Sequence, residues 1–411
     1  MPSDFDVTVA PGASRRTILA LTAASALAVS SVPHGVLRGL GRSMGYGGAA
    51  LGGPGLLDTL QAAARPGWFA RAGAVPRRLQ SPPRHAPAVL ADWEAFKRRF
   101  TAPDGRVCDT GNGNVSHSEG QGWGMMLAVA FDDRAFFDTL HDWTRRNLQV
   151  RADALHAWRY VPQSAVPVAD HNNATDGDLF IAAGLWRAAW RWQEPGYARA
   201  AGEIARDILD VLVRKPGGRT VLLPGAVGFE RADSVTINPS YHVIPVIEEL
   251  AALQASPQWS ALLSSGQDIL AEGRFGAFRL PPDWLRVDQR TGALSPDPSR
   301  PARFSYDAIR IPLWLAWSKA GPAAPAQDFL AYWQRYQPQP PAWVDLTSNR
   351  LAGYPAPAGM LAIGQIASVL SAREAKPGTP AALPALSASI DYYSAALTLL
   401  SHCALQESVE A

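Results

Sequence analysis

The chain has 411 residues, 47% of them apolar, with 18% charged side chains and a formal net charge of +2. This supports a sizeable core, and it supplies no basic stripe of the kind that grips nucleic acid, so no nucleic-acid partner is expected. Its two cysteines, Cys108 and Cys403, have no zinc-type spacing. They read as inert buried thiols or, in an exported protein, as a pair joining the first and last helices of a closed barrel.

In chain order, residues 1–32 read as an export signal. Ser14-Arg15-Arg16 precedes an apolar, Ala/Ser-rich stretch, and Ala26-Leu27-Ala28 has the small-x-small form of a cleavage site. The twin-arginine and Sec routes both fit, and an uncleaved anchor is the other reading; the apolar run is shorter than the ~20 residues that span a bilayer. A periplasmic or secreted location is expected. Residues 33–85, rich in Gly, Pro, Arg and Ala, read as a disordered linker with at most one short helix around 56–64. Residues 86–411 form the folded domain.

From there, apolar spacing of three and four predicts helix after helix: 89–100, 119–131, 135–148, 178–192, 197–214, 240–253, 259–272, 306–318, 326–336, 359–370 and 390–403. The one clear strand signal is Thr220-Val221-Leu222-Leu223. Eleven helices approach the twelve of a six-hairpin toroid, so the expected fold is all-α and barrel-like. The 14 Trp suit both a core and a sugar-binding cleft, where a flat ring packs on the apolar face of a pyranose.

Three predicted helix starts carry a carboxylate: Glu119 after Ser118, Asp176 after Thr175, and Asp307 after Ser305-Tyr306. In a helical barrel alternate helices start at one end, so the three acids can meet in one cleft, as the cutting of glycosidic bonds requires. Ser118 is the expected N-cap of the Glu119 helix. Gly120, Gly122 and Gly124 each cost about 1 kcal/mol relative to Ala in a helix interior, which calls for close approach of a backbone or a ligand. A general acid at a helix start needs burial or a second carboxylate to keep its proton, and Asp176 is the expected neighbour. Asp176 and Asp178 open the next helix, and one of them is the expected N-cap. Arg310 lies one turn after Asp307 and pairs with it, either on the surface or to hold a base ionised. Asn238 and Pro239 cap a further start, with Tyr241 either packing or stacking on a sugar. No His pair, Gly-x-Ser-x-Gly or phosphate loop competes with the acids.

The segments Ser118-Glu119-Gly120-Gln121-Gly122-Trp123-Gly124, Ala174-Thr175-Asp176-Gly177-Asp178, Ile237-Asn238-Pro239-Ser240-Tyr241, Pro282-Asp283-Trp284, Ser305-Tyr306-Asp307-Ala308-Ile309-Arg310 and Asp391-Tyr392-Tyr393 resemble, in the same order, glycoside hydrolase family 8. The likeness runs from about residue 90 to 403 and is greatest to the branch associated with bacterial cellulose synthase. It implies the (α/α)6 fold and an inverting endo-β-1,4-glucanase with no metal or cofactor. Glu119 is then the acid, Asp307 the base and Asp176 a substrate binder. Trp158 falls where that family has a cleft Trp, and Tyr241, Arg310, Tyr306 and Trp123 complete the expected substrate-binding set. Trp123 stands where a Tyr is common in the family. β-1,4-Glucan chains are the expected partner, with a cellulose synthase complex as a possible second one and a monomer as the oligomeric state. Other readings are a hydrolase of chitosan, xylan or mixed-linkage glucan on the same fold, a non-catalytic glucan-binding component, and a helical-barrel polysaccharide lyase.

Overall fold

The computed structural model describes residues 85–318, 323–372 and 383–409. The expected export signal, the linker up to residue 84 and the helix at 56–64 lie outside the described residues.

Eleven α-helices form among the described residues. Six line an inner ring: α2 (Ser118–Ala130), α4 (Thr175–Trp192), α6 (Ile244–Leu253), α8 (Ile311–Trp317), α10 (Ala358–Ala372) and α11 (Tyr392–Val409). Five lie outside: α1 (Pro87–Phe100), α3 (Arg134–Leu148), α5 (Pro195–Leu212), α7 (Pro257–Glu272) and α9 (Ala323–Arg335). The ring closes where α11 packs on α2 and α1.

The sequence explains the two layers. Outer α3 buries only Phe137, Leu140, Trp143, Thr144 and Leu148, one stripe at helical spacing. Inner α2 is buried at every position from Ser118 to Val129, because it has neighbours all round. Its glycines are what let it fit. A Cβ on Gly122 would lie 2.6 Å from Phe180 Cβ, and one on Gly177 would lie 2.2 Å from Ser118 Oγ and 2.7 Å from the Glu119 nitrogen. Glycines on both sides thus bring the starts of α2 and α4 into backbone contact.

Three predicted helices begin later than expected: the 390–403 helix starts at Tyr392, and two others start behind a 3-10 turn. The 240–253 helix is a 3-10 turn, Pro239–Tyr241, followed by α6, and the 306–318 helix is a 3-10 turn, Ala308–Arg310, followed by α8. Pro245 and Pro312 sit in the first turns of α6 and α8, where their rings and missing N–H groups stop the helix from extending upstream. The expected strand forms as Val221–Leu222 and pairs with Val213–Arg214, which ends α5 two residues early. The remaining short ladders gave no sequence signal. Among them, Ser116–His117 pairs with Arg159–Tyr160 ahead of α2, and Ser234–Ile237, Leu285–Asp288 and Leu294–Pro296 form a three-stranded sheet. Cys108 and Cys403 are both buried and free, so the pairing reading is discarded.

Candidate active site

The three acids converge on Arg310. This side chain is fully buried, which rules out the surface-pair reading. Its Nη1 donates to Glu119 Oε2 (2.7 Å) and Asp176 Oδ2 (3.1 Å), and its Nη2 donates to Asp307 Oδ1 (2.9 Å) and Ser240 Oγ (2.8 Å). With Glu119 and Asp307 hung on the two arms of one guanidinium, their bonded oxygens are at most about 8 Å apart, so both acids face one small space.

The local sequence sets each acid. Glu119 lies in the first turn of α2, but Ser118 is not its cap: it is the first helical residue, and its N–H donates to the Trp158 carbonyl (3.1 Å). Neither Asp176 nor Asp178 caps α4, whose cap position is Ala174. Asp176 points into the cluster. Asp178 is buried and accepts from the His156 N–H (2.8 Å) and Asn173 Nδ2 (2.9 Å), pinning the cleft wall. Asn238 does cap its 3-10 turn, accepting from the Ser240 N–H (3.0 Å) and hydroxyl (2.7 Å) and so orienting Ser240 toward Arg310. The turn bearing Asp307 is held by Asp283. Its Oδ1 accepts from the backbone N–H groups of Ser305 (3.1 Å), Asp307 (3.1 Å) and Ala308 (2.8 Å).

The charges do not balance without a proton. One arginine faces three carboxylates in a buried space. Burial first, and then the neighbouring Glu119 charge, push the Asp176 carboxyl up to about 7 against the opposing pull of Arg310, and the two acids hydrogen-bond to each other. The Glu119–Asp176 pair therefore holds one shared proton up to neutral pH. No group of three or more His, Cys, Asp or Glu among the described residues could hold a metal.

A cleft of about 180 Å³ opens on the acids. Glu119, Asp176, Asp307, Trp158 and Tyr241 line it. Trp158 is half-buried, and its Nε1 donates to Asp170 Oδ2 (2.7 Å), which fixes the ring. Three expected substrate contacts are placed elsewhere. Trp123 is fully buried behind Arg310, 5.9 Å from ring centre to guanidinium carbon, because α2 faces the core all round. Arg310 itself is enclosed by its carboxylates. Tyr306 lies beside the cleft lining, its carbonyl accepting from the Tyr393 hydroxyl and its own hydroxyl 3.4 Å from that of Tyr354. The structure adds Asn112, Arg159, Asn172, Phe229, Trp284 and Arg300 to the lining. All but Arg159, which lies in a two-residue strand, sit in loops, and neither setting has a periodicity that marks a residue.

A closed ring of paired helices with acids clustered in an aromatic cleft at one mouth defines a polysaccharide-cutting enzyme of the helical-barrel class. The chain belongs to glycosyl hydrolases family 8, whose family model matches residues 78–407. A probable endoglucanase of Novacetimonas hansenii is 45% identical over 321 residues, covering 78% of this chain and 92% of that protein. The solved endo-β-1,4-glucanase CMCax from Acetobacter xylinum superposes with a TM-score of 0.74 at 44% identity, covering 78% of this chain and 99% of that one. An endoglucanase structure from Komagataeibacter sucrofermentans gives a TM-score of 0.73 at 43% identity, covering 77% of this chain and 97% of that one.

Proposed function

We infer that this glycosyl hydrolase is an endo-β-1,4-glucanase that cleaves with inversion. The observation that carries the reading is the buried Arg310 with a proton-sharing acid pair on one arm and Asp307 on the other, opening into a cleft with an aromatic wall. The proton of the Glu119–Asp176 pair passes through Glu119 to the glycosidic oxygen as the bond from that oxygen to the anomeric carbon breaks. Asp307, paired with Arg310, takes a proton from a water whose oxygen attacks the anomeric carbon from the opposite face. The product is an α-anomer. Solvent returns a proton to the acid pair and removes one from Asp307, so the cycle balances. Asp176 completes the acid pair and bonds the sugar at the point of cleavage.

β-1,4-Glucan is the substrate. The finer reading is a monomer working in the periplasm beside a bacterial cellulose synthase, supported by the export-signal pattern and by the likeness to the cellulose-associated branch. Detection of the protein only in the cytosolic fraction would remove that placement. The activity is tested on carboxymethylcellulose by viscosity and on cellohexaose by anomer-resolved product analysis. Glu119→Gln and Asp307→Asn are each expected to lower kcat at least ~10³-fold with the fold intact. β-Anomers as first products, or faster turnover of xylan or chitosan than of glucan, would overturn the reading.

A further inference from the structure

Trp284 stands in the cleft wall where a bare indole would offer a sugar platform, but it is not bare. The Arg300 guanidinium lies over it, its carbon 3.9 Å from the ring centre, and the Phe229 ring lies parallel to it at 5.9 Å. Tyr241 meets Trp284 edge-on at 6.5 Å and stands 5.5 Å from the Arg310 guanidinium carbon. One tyrosine ring thus joins this stack to the carboxylate cluster.

Arg300 lines the cleft and is half-buried. Among the described residues its guanidinium has no hydrogen-bond or ion-pair partner within contact distance, and it lies against the indole. The nearby Asp297 is committed elsewhere. Its Oδ2 accepts from the Thr236 hydroxyl (2.6 Å) and lies 3.6 Å from Arg231 Nη1, and its Oδ1 accepts from the N–H (2.8 Å) and hydroxyl (2.7 Å) of Ser299. Burial pulls the Arg300 guanidinium below the usual arginine range. A partly dehydrated cation whose nearby carboxylate, Asp297, is already engaged by Thr236, Ser299 and Arg231 is only weakly compensated, and a ligand that brings a negative charge relieves it. The planar fork of donors, lying against the indole, matches the two oxygens of a carboxylate.

We propose that Arg300, seated over Trp284, is the binding group of a subsite for a carboxylate carried on the glucan chain, as a uronic acid or a carboxyalkyl ether. The proposal rests on the glucanase reading for its chain and adds an acidic substituent to it. It makes Arg300 a specificity-determining residue, set apart from the acids that cut.

The test compares kcat/KM on a carboxymethyl glucan with that on a hydroxyethyl glucan of matched backbone length, for the wild type, Arg300→Gln and Arg300→Lys. The ratio of the two is expected to fall about tenfold in Arg300→Gln and by less in Arg300→Lys, which keeps the charge and loses the fork. In the wild type the ratio should also fall as salt rises from ~0.01 M to ~0.5 M, and in Arg300→Gln it should be flat. A ratio unchanged by Arg300→Gln overturns the proposal, including the case where both polymers lose rate equally, because Arg300 then binds neutral hydroxyls. If neither polymer is cut, the glucanase reading fails by itself. The subsite is then judged by calorimetric titration with a carboxymethyl cello-oligosaccharide and its neutral parent. Tighter binding of the acidic ligand that Arg300→Gln abolishes supports the subsite, and equal dissociation constants for the two ligands overturn it.

Discussion

At the scale of single residues the chemistry turns on who holds one proton. Asp176 carries its proton to about 7 in the folded chain, against 3.8 ordinarily, through burial and the adjacent Glu119. Loss of that proton should give kcat/KM an alkaline limb near pH 7. Asp176→Asn removes the like charge while Arg310 still pulls on Glu119, so the limb should move to lower pH and activity should fall; a limb left in place would separate Asp176 from the acid. The same shift has a sign for stability. Between about pH 4 and pH 7 the folded chain keeps a proton that the unfolded chain has shed, so this site's contribution is fully present below pH 4 and is lost as pH rises toward 7. Asp283 acts one step back, through the three backbone N–H groups of the Asp307 turn. Asp283→Ala should cut kcat about 10–100-fold with a smaller change in KM, and Asp283→Asn, which keeps an acceptor oxygen, should restore most of it. Equal rates for the two variants would make Asp283 a bystander. Glu119, Asp176 and Asp307 were legible because acids at helix starts stand out; Asp283 was marked only as part of the Pro282-Asp283-Trp284 likeness and its role was not legible, because an aspartate in a loop looks the same whether it holds one N–H or three.

At the scale of elements, the glycines of α2 and α4 set the distance between two helix starts. Gly177→Ala places a methyl group within 2.2 Å of Ser118 Oγ and 2.7 Å of the Glu119 nitrogen. The expected cost is about 1–3 kcal/mol of stability, measured by denaturant unfolding, with a loss of turnover because Glu119 must shift. Wild-type stability and rate in this variant would show that the contact relaxes freely. The glycine run in α2 signalled close approach from sequence alone, and its partner Gly177 did not. Helix interiors were read well for the physical reason that spacing of three and four is imposed by burial. The starts of α6 and α8 were misjudged because the apolar pattern continues through the 3-10 turns ahead of Pro245 and Pro312. Ladders two residues long carry no period to read.

At the scale of the molecule, the ring is fastened at the end away from the cleft. Buried Arg187 of α4 donates from Nε and Nη2 to Glu249 of α6 (2.9 and 2.7 Å) and from Nη1 to Glu407 of α11 (2.8 Å), while Trp317 Nε1 of α8 also donates to Glu407 (2.7 Å). Four inner helices share one cation. Arg187→Met leaves two largely buried carboxylates without it and should cost about 3–5 kcal/mol, seen as a lower Tm. A cost below ~1 kcal/mol would mean that packing alone closes the ring. The barrel was legible from the helix count, whereas this cluster was not, because its members lie up to 220 residues apart.

The loops at the other mouth owe little to that fastening. Trp158, Phe229, Trp284 and Arg300 all hang from connections between helices, and the ring beneath them is held by its own glycines and ions. Drift at those four positions can therefore reshape the cleft lining while the scaffold persists, which makes the rim of this molecule the natural place to graft a new taste in substrates.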